Sequence, residues 1–241
     1  MQTEIAFPAS GGVVLPGVLT VPDGAVGPGP ALVMIYEVFG MSEEMRRVAR
    51  DLAADGFVVL IPDLFARGSI RPLCVASAMR TMSRGSGREL DDIEAARRWL
   101  AERPEVDADR IGAIGFCMGG GFALLLARTG LYKVSAPFYP GAHVEMTQSC
   151  PVVASLGGRD PANRGYGAQL ERQLTALGVA HDVKTYPEAG HSFFTRTEGA
   201  LANVMGRVIP LEYREADAQD AHRRVIAFFR EHLAESPTSV G

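Results

Sequence analysis

The chain has 241 residues, 47% of them hydrophobic and 22% charged, a balance that suits an ordinary globular protein rather than a fibrous, disordered or membrane-embedded one. With 24 basic and 28 acidic groups the formal charge is −4, which argues against a nucleic-acid binder held by phosphate contacts, and lysine occurs only at Lys133 and Lys184, so no lysine-rich tract addresses an anionic membrane. Cys74, Cys117 and Cys150 cannot pair completely, no secretory signal is visible, and the longest apolar runs fall far short of the ~20 residues a bilayer requires; the expectation is a soluble, cytoplasmic protein.

In chain order, residues 4–7 and 13–21 read as a β-hairpin around Ser10-Gly11-Gly12. A Pro/Gly loop at 22–30 leads into Ala-Leu-Val-Met-Ile-Tyr-Glu at 31–37, a continuous apolar run of strand length that suits burial on both faces. Ser42 caps a helix whose first turn holds Glu43 and Glu44 and which stops at Gly56. A strand follows at 57–62, then an irregular stretch at 63–87 and a helix at 88–103. A strand at 111–115 runs through a glycine-rich turn into a helix at 122–130. Strands at 134–139 and 152–156, a helix near 168–177, a strand at 181–186 and a helix at about 216–234 complete the pattern.

Strands alternating with helices predict an α/β fold, with a mainly parallel sheet flanked by helices on both faces and an antiparallel amino-terminal hairpin. Nothing resembling a linker divides the chain, so a single domain over 1–241 is expected, with about 237–241 as a flexible tail. In such folds ligands bind beyond the carboxyl ends of the strands.

The most informative segment is Gly115-Phe116-Cys117-Met118-Gly119-Gly120, between a strand and an apolar helix. Glycines two positions either side of a potential nucleophile match the sharp strand-to-helix elbow, with cysteine where serine is usual. A thiol there sits at a helix amino terminus, where the positive end of the dipole favours a thiolate, and the amide of Met118 is placed to donate to an oxyanion. Cys74 and Cys150 have no comparable setting.

A cysteine nucleophile needs a base. His222 and His232 fall in the last helix and His181 opens a strand at the wrong end of the sheet; His143 follows the strand ending at Tyr139 and stays open. His191 follows the last strand, on the same rim as Cys117, and Asp160 follows an intermediate strand in Gly157-Gly158-Arg159-Asp160. The order Cys117, Asp160, His191 is nucleophile, acid, base.

The segments IYEVFGM (35–41), FVVLIPDLFAR (57–67), IGFCMGG (114–120), GGRD (157–160) and EAGHSF (188–193) resemble the dienelactone hydrolase (carboxymethylenebutenolidase) family of the α/β-hydrolase superfamily, over roughly residues 31–196. The resemblance implies a Cys117–His191–Asp160 triad, with Glu37 as an acid that contacts the thiol and assists its deprotonation when substrate binds. It implies an oxyanion hole from the backbone amides of Val38 and Met118, a small ester or lactone as substrate, and a monomer as the default; no HExxH or clustered Cys/His pattern calls for a metal, and no cofactor is expected. Family members that prefer dienelactone bind its carboxylate through two arginines, one of them four residues after the catalytic histidine. Here that position is Thr195 and arginine comes one later, at Arg196; the other candidates are Arg71, Arg80 and Arg84. Phe39, Arg80, Arg84, Phe193 and Arg196 are the candidate substrate-binding residues, and the segment 201–213 is a candidate pocket wall. A broader esterase or thioesterase on the same triad, and a non-catalytic binding or redox-sensing protein using Cys117, are the alternatives.

Overall fold

The computed structural model describes residues 1–67, 70–197, 200–207 and 209–234; the tail expected at 237–241 lies outside them. Eight strands form one sheet in the order β1-β2-β4-β3-β5-β6-β7-β8. The hairpin β1 (Gln2–Pro8) and β2 (Val14–Thr20) pairs antiparallel, and β2 joins β4 (Val58–Pro62) antiparallel. From β4 onward every pairing is parallel, through β3 (Gly29–Ile35), β5 (Val106–Phe116), β6 (Ser135–Phe138), β7 (Val152–Gly157) and β8 (His181–Tyr186). This is the expected α/β-hydrolase arrangement.

The apolar runs owe their strand form to double-sided burial: Ala31 through Ile35 are wholly inaccessible, and all of β4 is buried. Helix α1 (Glu43–Ala54) presents Met45, Val48, Ala49, Leu52 and Ala53 to the sheet at helical spacing, and Ser42 Oγ accepts the Met45 amide at 3.2 Å to cap it. Several boundaries differ from the sequence expectation, which also lacks the short helix at Ala200–Met205. Residues 63–87 are not irregular throughout, because α2 (Arg71–Arg84) occupies most of them, with Pro72 in its first turn and Gly85 as a left-handed cap at φ 67°. Strand β5 begins at Val106, where it meets Gly29 before a register shift. Helix α4 (Met118–Ala127) begins directly after Cys117 and takes in the three glycines, so the glycine-rich turn is already helix.

Helices α3 (Arg88–Ala101), α5 (Tyr166–Ala176), α6 (Ala200–Met205) and α7 (Glu215–His232) complete the layers. Every residue of α4 is buried, which makes it the central helix against β5 and β6. Beneath the hairpin turn, Arg67 Nε donates to Asp92 Oδ2 at 2.6 Å and Ser10 Oγ donates to Asp92 Oδ1 at 2.6 Å, joining β1, the chain after β4 and α3. No described helix is long and apolar enough to cross a membrane.

Candidate active site

The carboxyl ends of β3, β5, β6, β7 and the segment after β8 converge on one rim, and that rim carries Glu37, Cys117, Tyr139, Asp160 and His191. Cys117 has φ 53° and ψ −113°, a backbone conformation L-residues rarely adopt. Three hydrogen bonds hold it there: its amide donates to Phe138 O at 3.1 Å, and its carbonyl accepts from Gly121 N at 3.2 Å and Gly141 N at 2.7 Å. A Cβ at Gly115 would collide with the Gly119 carbonyl, and one at Gly119 with the carbonyl of Ile35. The elbow therefore depends on glycine at both flanking positions, for the steric reason the sequence pattern suggests.

His191 Nδ1 lies 2.7 Å from Asp160 Oδ2, with both residues buried. Asp160 caps the short 3-10 turn Pro161–Asn163, so its other oxygen accepts the Ala162 amide at 2.9 Å, while Asn163 Nδ2 donates to Oδ2 at 2.5 Å. Burial opposes ionisation of Asp160, but His191, Asn163 and the Ala162 amide outweigh it and hold the carboxyl below its usual range. Burial likewise opposes a charged imidazole, yet hydrogen bonding to Asp160 and to the adjacent Cys117, with the charges of both, pushes His191 up to about 10. That favours a proton on His191 and a charged Asp160 beside it.

Glu37 is 3% exposed and its Oε1 accepts from Thr195 Oγ1 at 2.9 Å and Ser192 Oγ at 3.2 Å. The Tyr139 hydroxyl lies 3.1 Å from Thr195 Oγ1 and also interacts with Glu37. Burial pushes the Glu37 carboxyl up, against the three hydroxyls and the charge of His191, which pull it down. Cys117, Tyr139 and Ser192 are the non-glycine residues at positive φ among the described residues, at 53°, 32° and 58°, so backbone strain is concentrated in this site.

Val38 lies in the turn that Gly40 N closes onto Glu37 O at 2.9 Å, and Met118 opens α4; among the described residues neither amide donates a hydrogen bond. Phe39 lines a cleft of about 360 Å3 with Glu37, Arg47, Arg50 and Arg196. Arg196 itself is exposed, stacks over Tyr213 at 4.3 Å and lies 3.7 Å from Glu215 Oε2. Arg80 and Arg84 are exposed on α2, whereas Arg71 at the start of that helix reaches the Gly40 turn. Phe193 is fully buried, its ring against Tyr139 at 5.6 Å and Tyr186 at 4.9 Å. Part of the segment after Arg196, including Thr197, Ala202 and Leu211, lines a separate cavity of about 550 Å3.

The remaining histidines and cysteines are occupied elsewhere. His143 lies 2.8 Å from Ala162 O and stacks on Tyr166, His181 binds Val179 O at 2.7 Å, and His222 pairs with Asp55 at 2.7 Å. Cys74 lies 3.7 Å from Phe65 O, and burial pushes the Cys150 thiol up to about 12. Tyr139, Ser192, Thr195 and Asn163 carry no signal in the sequence beyond adjacency to a strand end, to His191 or to Asp160.

The sequence pattern described as "Dienelactone hydrolase family" matches residues 15–233. A carboxymethylenebutenolidase of Rhodococcus opacus is 30% identical over 224 residues, covering 86% of this chain and 83% of the relative. The crystal structure of a dienelactone hydrolase-like promiscuous phosphotriesterase from metagenomic libraries superposes with a TM-score of 0.80 at 26% identity, over 96% of this chain and 98% of that one. An acylaminoacyl peptidase of Pyrococcus horikoshii shares the fold, with a TM-score of 0.69 at 14% identity, over 100% of this chain and 43% of its own.

Proposed function

The chain belongs to the dienelactone hydrolase family, and from that premise we propose that it cleaves a small carboxylic ester or lactone with Cys117 as nucleophile, His191 as acid and base, and Asp160 as the orienting acid. The observation that carries this reading is the strained elbow at Cys117 beside an imidazole whose other nitrogen is fixed at 2.7 Å by a buried carboxylate.

With His191 holding a proton, the sulfur attacks as its thiolate once Glu37, displaced by substrate, assists its deprotonation. Attack on the substrate carbonyl forms an S–C bond and moves the carbonyl π electrons onto oxygen, where the amides of Val38 and Met118 donate to it. Collapse breaks the C–O bond; His191 gives its proton to the departing alkoxide, leaving a thioester on Cys117. Neutral His191 then takes a proton from water as that water attacks the thioester, and the thiolate leaves with imidazolium restored. In a lactone the alcohol so formed remains part of the acyl chain, and the second step frees the whole hydroxy acid from the sulfur.

Glu37 supplies the remaining carboxyl next to the pair. Held by Ser192, Thr195 and Tyr139, it is set to assist thiol deprotonation when substrate displaces it. Phe39 would line the acyl pocket, with Phe193 packed behind Tyr139 rather than facing substrate, and Arg80, Arg84 or Arg196 would meet a substrate carboxylate. Arg71 is the further arginine at the Gly40 turn. The broader esterase reading is favoured by the hydroxyl of Thr195 standing against Glu37 where a cation could have stood.

Assays of wild type and Cys117→Ala against dienelactone, aryl esters and aryl thioesters test this. Cys117-dependent turnover of dienelactone supports the narrow reading. Cys117-dependent cleavage of aryl esters with dienelactone untouched supports the broader one. Equal turnover by both proteins would overturn the nucleophile assignment.

A further inference from the structure

Among the described residues two buried side-chain polar atoms lack a hydrogen-bond partner, the hydroxyl of Tyr132 and the amide oxygen of Asn163. Tyr132 lies away from the rim; Asn163 lies in it. Its Nδ2 donates to Asp160 Oδ2 at 2.5 Å, the oxygen that also meets His191 Nδ1 at 2.7 Å. The opposite end of the amide is left without a donor, at 4% residue exposure. A buried orphan oxygen costs stability, and an apolar side chain of similar volume would remove that cost. Packing alone therefore does not account for an amide here, whereas donation to Asp160 does.

The surrounding turn is arranged to deliver that donation. Asn163 N donates back to Asp160 O at 3.2 Å, and Ala162 N takes the other carboxylate oxygen at 2.9 Å. From outside, His143 Nε2 lies 2.8 Å from Ala162 O while its ring stacks on Tyr166 at 4.0 Å and 2°. The Tyr166 hydroxyl is fixed in turn by the backbone of Val144, 3.1 Å from both its amide and its carbonyl. His143, which the sequence leaves without a role, thus braces the turn that carries Asn163.

We propose that Asn163 is a positioning residue: by donating to Asp160 Oδ2 it holds the carboxylate where that oxygen meets His191, and so keeps the Cys117–His191 pair reactive. The inference rests on the triad reading above. The hydrogen bond from Asn163 stabilises the ionised form of Asp160, and only an ionised Asp160 supports a proton on His191. The groups bearing on this chain of contacts are few. Asp160 faces His191, Asn163 and the Ala162 amide; His191 faces Cys117, Asp160, the Tyr139 ring at 5.1 Å and the charge of Glu37.

The test is the rate of Cys117 alkylation by iodoacetamide as a function of pH, in wild type, Asn163→Leu and Asn163→Ala, with kcat/KM on an aryl ester alongside. Without the amide donor Asp160 keeps its proton to higher pH, so the ion pair gives way at higher pH. The low-pH limb of the alkylation profile should move up by about half a pH unit or more in both variants, and kcat/KM near neutrality should fall about five- to tenfold. Asn163→Leu removes the orphan oxygen but also a donor to the buried Asp160, so the two effects oppose and its melting temperature should lie within a few degrees of wild type. Should leucine fail to fold, alanine, which adds no bulk, decides the matter. Alkylation profiles that superimpose on wild type, with kcat/KM within about twofold, would overturn the proposal. The alkylation arm needs no substrate, so it decides the role of Asn163 even if Cys117→Ala retains turnover and the hydrolase mechanism fails.

Discussion

Asp92 beneath the amino-terminal hairpin and Glu37 at the carboxyl rim of the parallel strands are about equally buried, at 1% and 3% exposure, but the fold answers the two charges differently. Asp92 meets the Arg67 guanidinium at 2.6 Å and the Ser10 hydroxyl, so its charge is neutralised and its oxygens are filled. Glu37 hydrogen-bonds only to hydroxyls, from Ser192, Thr195 and Tyr139; the charge of His191 acts on it without bonding to it, and burial still pushes its carboxyl up. An acid buried with a guanidinium ties elements together; an acid buried without one, at a site where three residues hold positive φ, sits in surroundings that disfavour its charge. The antiparallel quarter of the sheet is thus built for rigidity and the parallel rim for chemistry.

The comparison can be broken most forcefully at the rim. Replacing Cys117 by alanine should lower kcat/KM on any ester the protein cleaves by about a thousandfold or more, with the melting temperature little changed. Arg67→Ala is the opposite test. It strands the Asp92 charge in the interior, and chemical denaturation should show a loss of about 3–5 kcal/mol, while the protein that remains folded keeps its kcat/KM.

A third prediction concerns pH. His191 is raised in the folded state to about 10 from an unfolded value near 6.5, so the folded protein binds more protons across that window. Its contribution to stability is full below about pH 6.5 and is lost as pH rises through about 10, with a slope of at most about 1.4 kcal/mol per pH unit. Unfolding free energies measured from pH 6 to 10 should fall in wild type and fall less steeply in His191→Gln. The smallest expected effect is at Glu37. Glu37→Gln removes a buried acid that has no cation hydrogen-bonded to it and should stabilise the protein at neutral pH by about 1 kcal/mol while slowing turnover, which matched denaturation and kinetic measurements would reveal. A destabilised Glu37→Gln of unchanged rate would make Glu37 a structural acid like Asp92.

Much of this architecture is written locally in the chain. The runs at 31–36 and 57–62 are apolar throughout because both sheet faces are covered, and the glycines around Cys117 are where carbonyls of Gly119 and Ile35 leave no room for a Cβ. Helix α2 escapes a sequence reading because its buried stripe is narrow and partly polar, Cys74, Ala78, Thr81 and Met82, and because Pro72 and Gly85 read as loop punctuation when they serve as its first turn and cap. The setting of Glu37 is illegible for another reason. Its hydrogen-bond partners Ser192 and Thr195 lie 155 and 158 positions away in sequence, and two small hydroxyl residues after a histidine carry no pattern. Asn163 falls between the cases: a polar residue three positions after a turn-capping aspartate is visible, but that it shares an oxygen with His191 is a property of the folded rim.

The central claim is that the acyl group passes through the sulfur of Cys117. Acid-quenching the protein during turnover of a slow aryl ester and mapping the modified peptide by mass spectrometry tests it most directly. The account predicts a single acyl adduct on Cys117, formed at the rate of product release in the first turnover and absent from Cys117→Ala. An adduct on another side chain, or undiminished turnover by Cys117→Ala, would contradict it.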